Sequence, residues 1–373
     1  MSDWSCLPFG FFQRIQTAEA RLVCRSWARN AAASVAELSV RGLPPRDGIF
    51  AAFPSVSVLT WEFAYPGSLP VAGPLSNLTK LVLDGCEDGV VLELCDLSPP
   101  RLRVLDLSWN DELTNNALTG LRQLSGLVEL SLKACEGVDS CVLENTALES
   151  LDMGGMKNLE DTRGISGLTS LTSLKLTYCY SLKCIAGLRG LTRMRALSLK
   201  CTAVRDVGAV GELASLTSLN LSGCRKLGSF GSIGSLSRLA KLKLHETGLS
   251  VDMGREVGRL GAHGSLTTLD VGGHTGPRPA VTDESLREIG KIGSLTSLCL
   301  ELCHMITDAG MAHLGRLTSL ETLDIVQCSN VTDAGVRELG RLKSLRELNA
   351  RLCGVTPSAR EHLSHIADLS FQI

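Results

Sequence analysis

Aromatic side chains are scarce. Phe, Trp and Tyr make up 4% of the 373 residues, against 44% for all apolar types. A core of thin aliphatic layers suits that composition better than one large globular core. An excess of either charge is missing too: 37 Lys and Arg face 39 Asp and Glu. Such a balance gives no electrostatic reason to expect a nucleic-acid or membrane-surface partner. No apolar run approaches the roughly 20 residues that a bilayer-spanning helix needs. The opening M-S-D-W-S-C-L-P-F-G-F-F lacks the basic start and the small-residue cleavage site of a signal peptide. The expected compartment is therefore the cytoplasm, where the fourteen cysteines stay free thiols. No C-x-x-C pair occurs among them, so the spacing gives no metal site. Gly228, Gly231 and Gly234 lack the spacing and the Lys of a phosphate loop and are expected to be small turns. Neither a cofactor nor an enzymatic reaction is expected.

What the chain has in abundance is self-similarity. Leu295–Thr307 reads L-T-S-L-C-L-E-L-C-H-M-I-T. Leu320–Thr332 and Leu345–Thr356 repeat its frame, L-x-x-L-x-L-x-x-C, at steps of 25 residues. The first apolar position of the frame falls at Val35, Val56, Leu78, Leu102, Leu127, Leu148, Leu171, Met194, Leu216, Leu239, Leu266, Leu295, Leu320, Leu345 and Ile366, with spacings of 21 to 29 residues. Within the frame, x-L-x-L-x alternates with period 2 and predicts a strand buried on one face. The residues between strands must return the chain. Thr307, Thr332 and Thr356 stand where a helix N-cap belongs, with Pro357 at the first helical position. Gly290, Gly315 and Gly340 are placed as helix exits. His362 and His365 are expected to flank the apolar face of a last helix, with Leu363 and Ile366 in its core.

Cys86, Cys135, Cys179, Cys224, Cys303, Cys328 and Cys353 share the last position of the frame, and Asn110 takes it in its own repeat. There the backbone leaves the strand, and a buried side chain must satisfy polar groups that lack ladder partners. Met156, Thr202, Thr247 and His274 depart from the column. The frame and the column resemble leucine-rich repeats of the cysteine-containing class. That resemblance implies an α/β solenoid of about 15 repeats. It would be a horseshoe, with a parallel sheet on the concave side and helices and irregular turns on the convex side, spanning 35–373.

Residues 1–34 lie outside the repeat. Leu7-Pro8, Phe11, Phe12 and Ile15 precede A-R-L-V-C-R-S-W, where Leu22, Val23, Ser26 and Trp27 fall at helical spacing. The Leu-Pro and the closing L-V-C-x-x-W resemble an F-box with a cut-back middle, since Pro8 and Val23 are only 15 positions apart. The resemblance implies an adaptor-binding set of Leu7, Pro8, Ile15, Leu22, Val23, Cys24 and Trp27. It implies a substrate-recognition subunit of an SCF-type ubiquitin ligase, holding the adaptor and cullin complex at one end and a protein substrate on the concave face. The alternatives are an N-terminal cap that shields the first repeat, and an interaction scaffold unrelated to ubiquitin, such as a cytoskeletal or ciliary assembly factor or an effector. A monomer is expected.

The outward positions of the frame give the candidate partner-binding residues. Lys175, Lys200, Lys241, Lys243 and His245 form a basic middle. Asp270, Ser297, Cys299, Glu301, Asp324 and Glu347 follow, mostly acidic. Cys299 is outward and Cys303 inward, so the two diverge, and no His shares the column of Cys299. The 27- and 29-residue spacings around Gly272–Pro279 mark an irregular stretch, and loops on a rigid scaffold carry recognition. The junction of that stretch with Leu295–Thr307 is the expected binding site. Trp109, Tyr178 and Tyr180 follow their strands and line a rim or cover the turns.

Overall fold

The computed structural model describes residues 36–41, 55–62, 74–145, 147–248, 253–273, 281–364, 366 and 368–370. The F-box-like segment, with Leu7, Pro8, Ile15, Leu22, Val23, Cys24 and Trp27, lies outside the described residues. So do 274–280 and His365. The chain divides into two compact units, 1–175 and 176–373.

The first unit carries β1 (Glu37–Arg41), β2 (Val58–Glu62), β3 (Lys80–Asp84), β4 (Val104–Asp106), β5 (Glu129–Ser131), β6 (Ser150–Asp152) and β7 (Ser173–Lys175), each parallel to the next. The second carries β8 (Ala196–Ser198), β9 (Ser218–Asn220), β10 (Lys241–Lys243), β11 (Thr268–Asp270), β12 (Ser297–Cys299), β13 (Thr322–Asp324), β14 (Glu347–Asn349) and β15 (Asp368–Ser370), again parallel and in chain order. Every strand begins two residues after the first apolar position of the frame. The register sets leucine against leucine: Leu242 faces Leu269, Leu269 faces Leu298, and Leu298 faces Leu323. These leucines are buried, each worth roughly 1.5–3 kcal/mol. The fold is a leucine-rich-repeat solenoid.

The returns come in two forms. α1 (Asp88–Leu97) and α2 (Asn115–Gly120) serve the first unit. α3 (Met253–Gly261), α4 (Asp283–Ile289), α5 (Asp308–Leu314) and α6 (Asp333–Glu338) serve the second. Most other described returns run through short 3-10 segments, such as Gly208–Glu212 and Gly231–Ser235, and the described residues between β5 and β6 hold neither form. Spacing decides which form appears. From Leu171 to Met194, Leu216 and Leu239 the steps are 23, 22 and 23 residues, and from Leu239 to Leu266, Leu295, Leu320 and Leu345 they are 27, 29, 25 and 25. A 3-10 segment rises about 2.0 Å per residue against about 1.5 Å for an α-helix. The shorter repeats therefore span the same layer only in the tighter form.

Thr307 and Thr332 cap α5 and α6 as expected, their hydroxyls accepting from the N–H of Ala309 and Ala334. The last return differs from the expectation. Pro357–His362 is a 3-10 segment, not an α-helix, and Thr356 makes no cap bond with its side chain. Only 21 residues separate Leu345 from Ile366. Leu363 and Ile366 are buried as expected, and His362 is exposed. Gly290 and Gly315 stand at the C-caps of α4 and α5, as expected. Gly290 and Gly315 have φ of −62° and −57°, so neither occupies the left-handed region. A β-carbon on Gly290 would stand 2.5 Å from the His313 carbonyl oxygen, and one on Gly340 2.8 Å from that of His362. These positions are Gly because the next repeat's backbone packs on them.

Candidate functional site

Leaving each strand requires a sharp turn, and the eighth frame position makes it. Trp109, Ala134, Tyr178, Cys201, Glu246, Leu302, Gln327 and Leu352 all hold φ between 53° and 66° there, and Gly85, Gly155, Gly223 and Gly273 hold φ between 65° and 78° without a side chain. Their N–H groups point to the next repeat: Glu246 to the Gly272 carbonyl, Gly273 to that of Glu301, and Leu302 to that of Val326. The following column closes the turn. Asn110 Nδ2 donates to the carbonyls of Leu83 and Leu107, both at 2.8 Å, and its Oδ1 accepts from the Cys86 N–H at 2.6 Å. Cys135, Cys224, Cys328 and Cys353 donate through Sγ to the carbonyls of Leu107, Leu199, Leu300 and Ile325 at 2.9–3.2 Å. Thr202 and Thr247 donate instead to Leu199 and Leu244 in their own repeats. Burial pushes the thiols of Cys86 and Cys328 up to about 12. A buried thiol held protonated is a scaffold donor, not a nucleophile.

Those turns fix the outward side chains in rows. In the first unit Lys175 is exposed and paired with Asp152 at 3.2 Å. In the second unit the Lys200 ammonium stands 5.3 Å from the centre of the Tyr178 ring. Lys241 and Lys243 are exposed on β10. Register then runs Lys243, Asp270, Cys299, Asp324, Asn349 across β10 to β14, and the neighbouring row holds Ser297 and Glu347. Asp270 and Asp324 are held by their own backbones, accepting from the N–H of Gly272 at 3.2 Å and of Val326 at 3.0 Å. Asn349 also donates to Asp324, at 3.2 Å. Trp109, Tyr178 and Tyr180 are exposed at 64%, 43% and 59%.

No His shares the column of Cys299, as expected, but one reaches it from the neighbouring row. A ring nitrogen of His245, a carboxylate oxygen of Asp270 and the Cys299 sulfur lie within 4.8 Å of one another, contributed by three adjacent repeats. His245 Nδ1 stands 3.4 Å from Asp270 Oδ1. The frame puts His245 one row beyond Cys299, but Gly272 and Gly273 lie beneath its ring. A β-carbon on Gly272 would sit 3.1 Å from Nδ1, and one on Gly273 2.5 Å from Nε2. Without those side chains the imidazole lies down toward Asp270. Cys303 remains inward and buried, so its divergence from Cys299 is as expected. Burial pushes the Cys299 thiol up to about 12, aided by the charges of Asp270, Asp324 and Glu301 and opposed by a hydrogen bond from the Glu301 backbone.

The helical returns of the second unit reveal a motif whose meaning the spacing did not disclose. Thr307 donates its N–H and its hydroxyl to the two oxygens of Asp283, at 2.8 and 2.7 Å. Thr332 does the same to Asp308, both at 2.7 Å, and Thr356 to Asp333 at 2.7 and 2.6 Å. Each Thr is thereby tied to the first helical residue of the preceding repeat. The Gly of T-D-A-G belongs to the same device, because β-carbons on Gly310 and Gly335 would overlap Asp283 Oδ1 and Asp308 Oδ1.

A family model described as Leucine Rich repeat matches residues 100–121. No curated protein matches the chain. Among solved structures, an internalin from Listeria monocytogenes is similar at 21% identity, covering 92% of this chain and 88% of that one, with a TM-score of 0.59. A leucine-rich-repeat protein from Leptospira interrogans is similar at 18% identity over 93% and 98% of the two chains, with a TM-score of 0.52. Drosophila Toll in its complex with Spätzle is similar at 14% identity, with a TM-score of 0.60. The match covers 88% of this chain and 48% of that one. At these identities the likeness is one of fold. Among the described residues no helix is long and apolar enough to cross a membrane.

Proposed function

We propose that the chain is a protein-interaction scaffold that recognises its partner on the outward face of strands β10 to β14. The observation that carries this reading is the division of labour along each strand. The leucines are buried, while the alternate positions Lys241, Lys243, Asp270, Ser297, Cys299, Glu301, Asp324 and Glu347 are exposed or half-buried. The row runs from basic at β10 to acidic at β11 and β13, which gives a partner a polarity to match. Toll, similar in fold, is seen in complex with Spätzle, which supports protein binding as the activity. The test is affinity purification with the full chain and with Lys241→Glu/Lys243→Glu. A partner retained by the native chain and lost or weakened at least about tenfold by the double variant supports the reading. Equal retention removes the basic row from it.

The F-box-like segment supports a finer reading, in which this scaffold presents a protein for ubiquitination. Leu22, Val23, Cys24 and Trp27 carry it. Full-length and 35–373 chains are compared for retention of the SCF adaptor. Retention by the full chain alone supports the ligase role; no retention, or equal retention, removes it.

A further inference from the structure

We propose that His245, Asp270 and Cys299 form a zinc-binding site on the outward face of β10, β11 and β12, with a fourth coordination position open. The donors are one imidazole nitrogen, one carboxylate oxygen and one sulfur. This mixed set suits zinc and does not suit calcium or magnesium, which take oxygen ligands. Bonds of about 2.0–2.1 Å to nitrogen and oxygen put two tetrahedral ligands about 3.3 Å apart. His245 Nδ1 and Asp270 Oδ1 already stand 3.4 Å apart. The sulfur, within 4.8 Å of both partners, closes the third corner by a side-chain shift of about 1 Å, since its bond to zinc is about 2.3 Å.

Two further observations distinguish this cluster from a chance meeting of polar side chains. The first is the cradle. Gly272 and Gly273 leave the space that the His245 ring fills, and a β-carbon at either would crowd it. The second is the fixing of the two anionic ligands from outside. The Gly272 N–H holds Asp270 Oδ1 at 3.2 Å, and the Glu301 N–H points at the Cys299 sulfur. Backbone donors that orient ligands are the outer support a metal site requires. Register contributes as well. Asp270 and Cys299 are direct partners on neighbouring strands, about 4.8 Å apart along the ladder, a separation that a metal between the two side chains can bridge. Three protein ligands leave one position for water or for a donor atom of whatever lies on this face.

Cobalt(II) is the probe, because a thiolate on cobalt gives a near-ultraviolet charge-transfer band and tetrahedral cobalt gives strong visible bands. The full chain, prepared without a polyhistidine tag and with its thiols reduced, is titrated with cobalt and then with zinc. The expected result is one equivalent of cobalt with both bands, displaced by zinc. Cys299→Ser abolishes the charge-transfer band. His245→Gln and Asp270→Asn each weaken cobalt binding by at least about tenfold. Cys184→Ser, at an exposed cysteine, leaves the spectrum unchanged. Far-ultraviolet circular dichroism of every variant, together with the independent ligand changes, separates loss of a ligand from loss of fold. Absence of the charge-transfer band in the native chain overturns the proposal. So does a band that survives Cys299→Ser or disappears with Cys184→Ser. The readout requires no partner, so it stands or falls apart from the scaffold reading.

Discussion

Within the second unit, two neighbouring sets of repeats use the same strand and different returns. Those behind β8 and β9 come back through the 3-10 segments Gly208–Glu212 and Gly231–Ser235. Those behind β11 to β13 come back through α4, α5 and α6. Both bury the same leucine layers, so the strand side does not distinguish them. Their lateral bonds do. In the first set Ser232 donates to the Val207 carbonyl at 3.1 Å and Ser235 to that of Gly211 at 3.0 Å, both neutral contacts. In the second set each Asp accepts two bonds from the next Thr. Bonds to an ionised acceptor are roughly twice as strong as neutral ones. Length in the return therefore adds helix and also converts a weak lateral contact into a charged one.

The contrast can be broken most forcefully at Gly335. Valine there overlaps Asp308 and is expected to lower stability by about 2–3 kcal/mol, read by chemical denaturation. An equivalent replacement at Gly190, where a β-carbon would meet no atom within 4 Å, is not crowded, although its φ of 84° makes any side chain strained. The useful comparison is Gly167→Val, open and without that strain, expected to cost far less. Next in size is Cys328→Ala, which removes the donor to the Leu300 carbonyl and is expected to cost about 1–3 kcal/mol. It tests the device shared by both sets, and a neutral result would discard the cysteine column as a source of stability.

Asp333→Asn sharpens the comparison through pH. Hydrogen bonds from the Thr356 side chain and backbone hold the Asp333 carboxyl below its ordinary value. A carboxylate depressed by folding adds stability above its unfolded value, near 3.9, and that stability is lost as pH falls through the folded value. The native chain should therefore lose stability more steeply than Asp333→Asn below about pH 4. Parallel acid limbs would show that the bond is screened by solvent. The smallest effect is expected from Ser232→Ala in the 3-10 set, about 0.5 kcal/mol. A loss as large as that at Cys328 would reverse the ranking of lateral bonds.

The strands were legible because two leucines spaced by one residue have only one way to share a buried face. All fifteen described strands start where the frame places them. The cysteine column was legible for a similar reason, since one position carried one residue type through many repeats. The returns were legible only where Thr, Asp and Gly coincided, and even there the pattern showed a cap and hid the bond to the preceding Asp. That bond joins residues 24 apart, for example Thr332 and Asp308, and a reading of one repeat at a time does not see it. The exit glycines were legible as exits, but the reason for Gly was not, because crowding by the next repeat and a left-handed turn both select it. The meeting of His245 with Cys299 was hidden by the same limitation. Frame arithmetic assigns rows, and a ring lying across two glycines changes rows. Gly272 and Gly273 were visible as an irregularity; that they are a bed for an imidazole required the neighbouring strand.

The T-D-A-G device carries its donor and its acceptor in one repeat: Thr332 binds backward to Asp308, and Asp333 binds forward to Thr356. A segment built this way is its own mate. Copying the stretch from Thr307 to Val331 in tandem would bring with it the Thr its predecessor needs and the Asp its successor needs. Lengthening or shortening this part of the chain by whole copies then requires no compensating change elsewhere, so the number of such repeats is free to drift under duplication while the bonds between them stay constant.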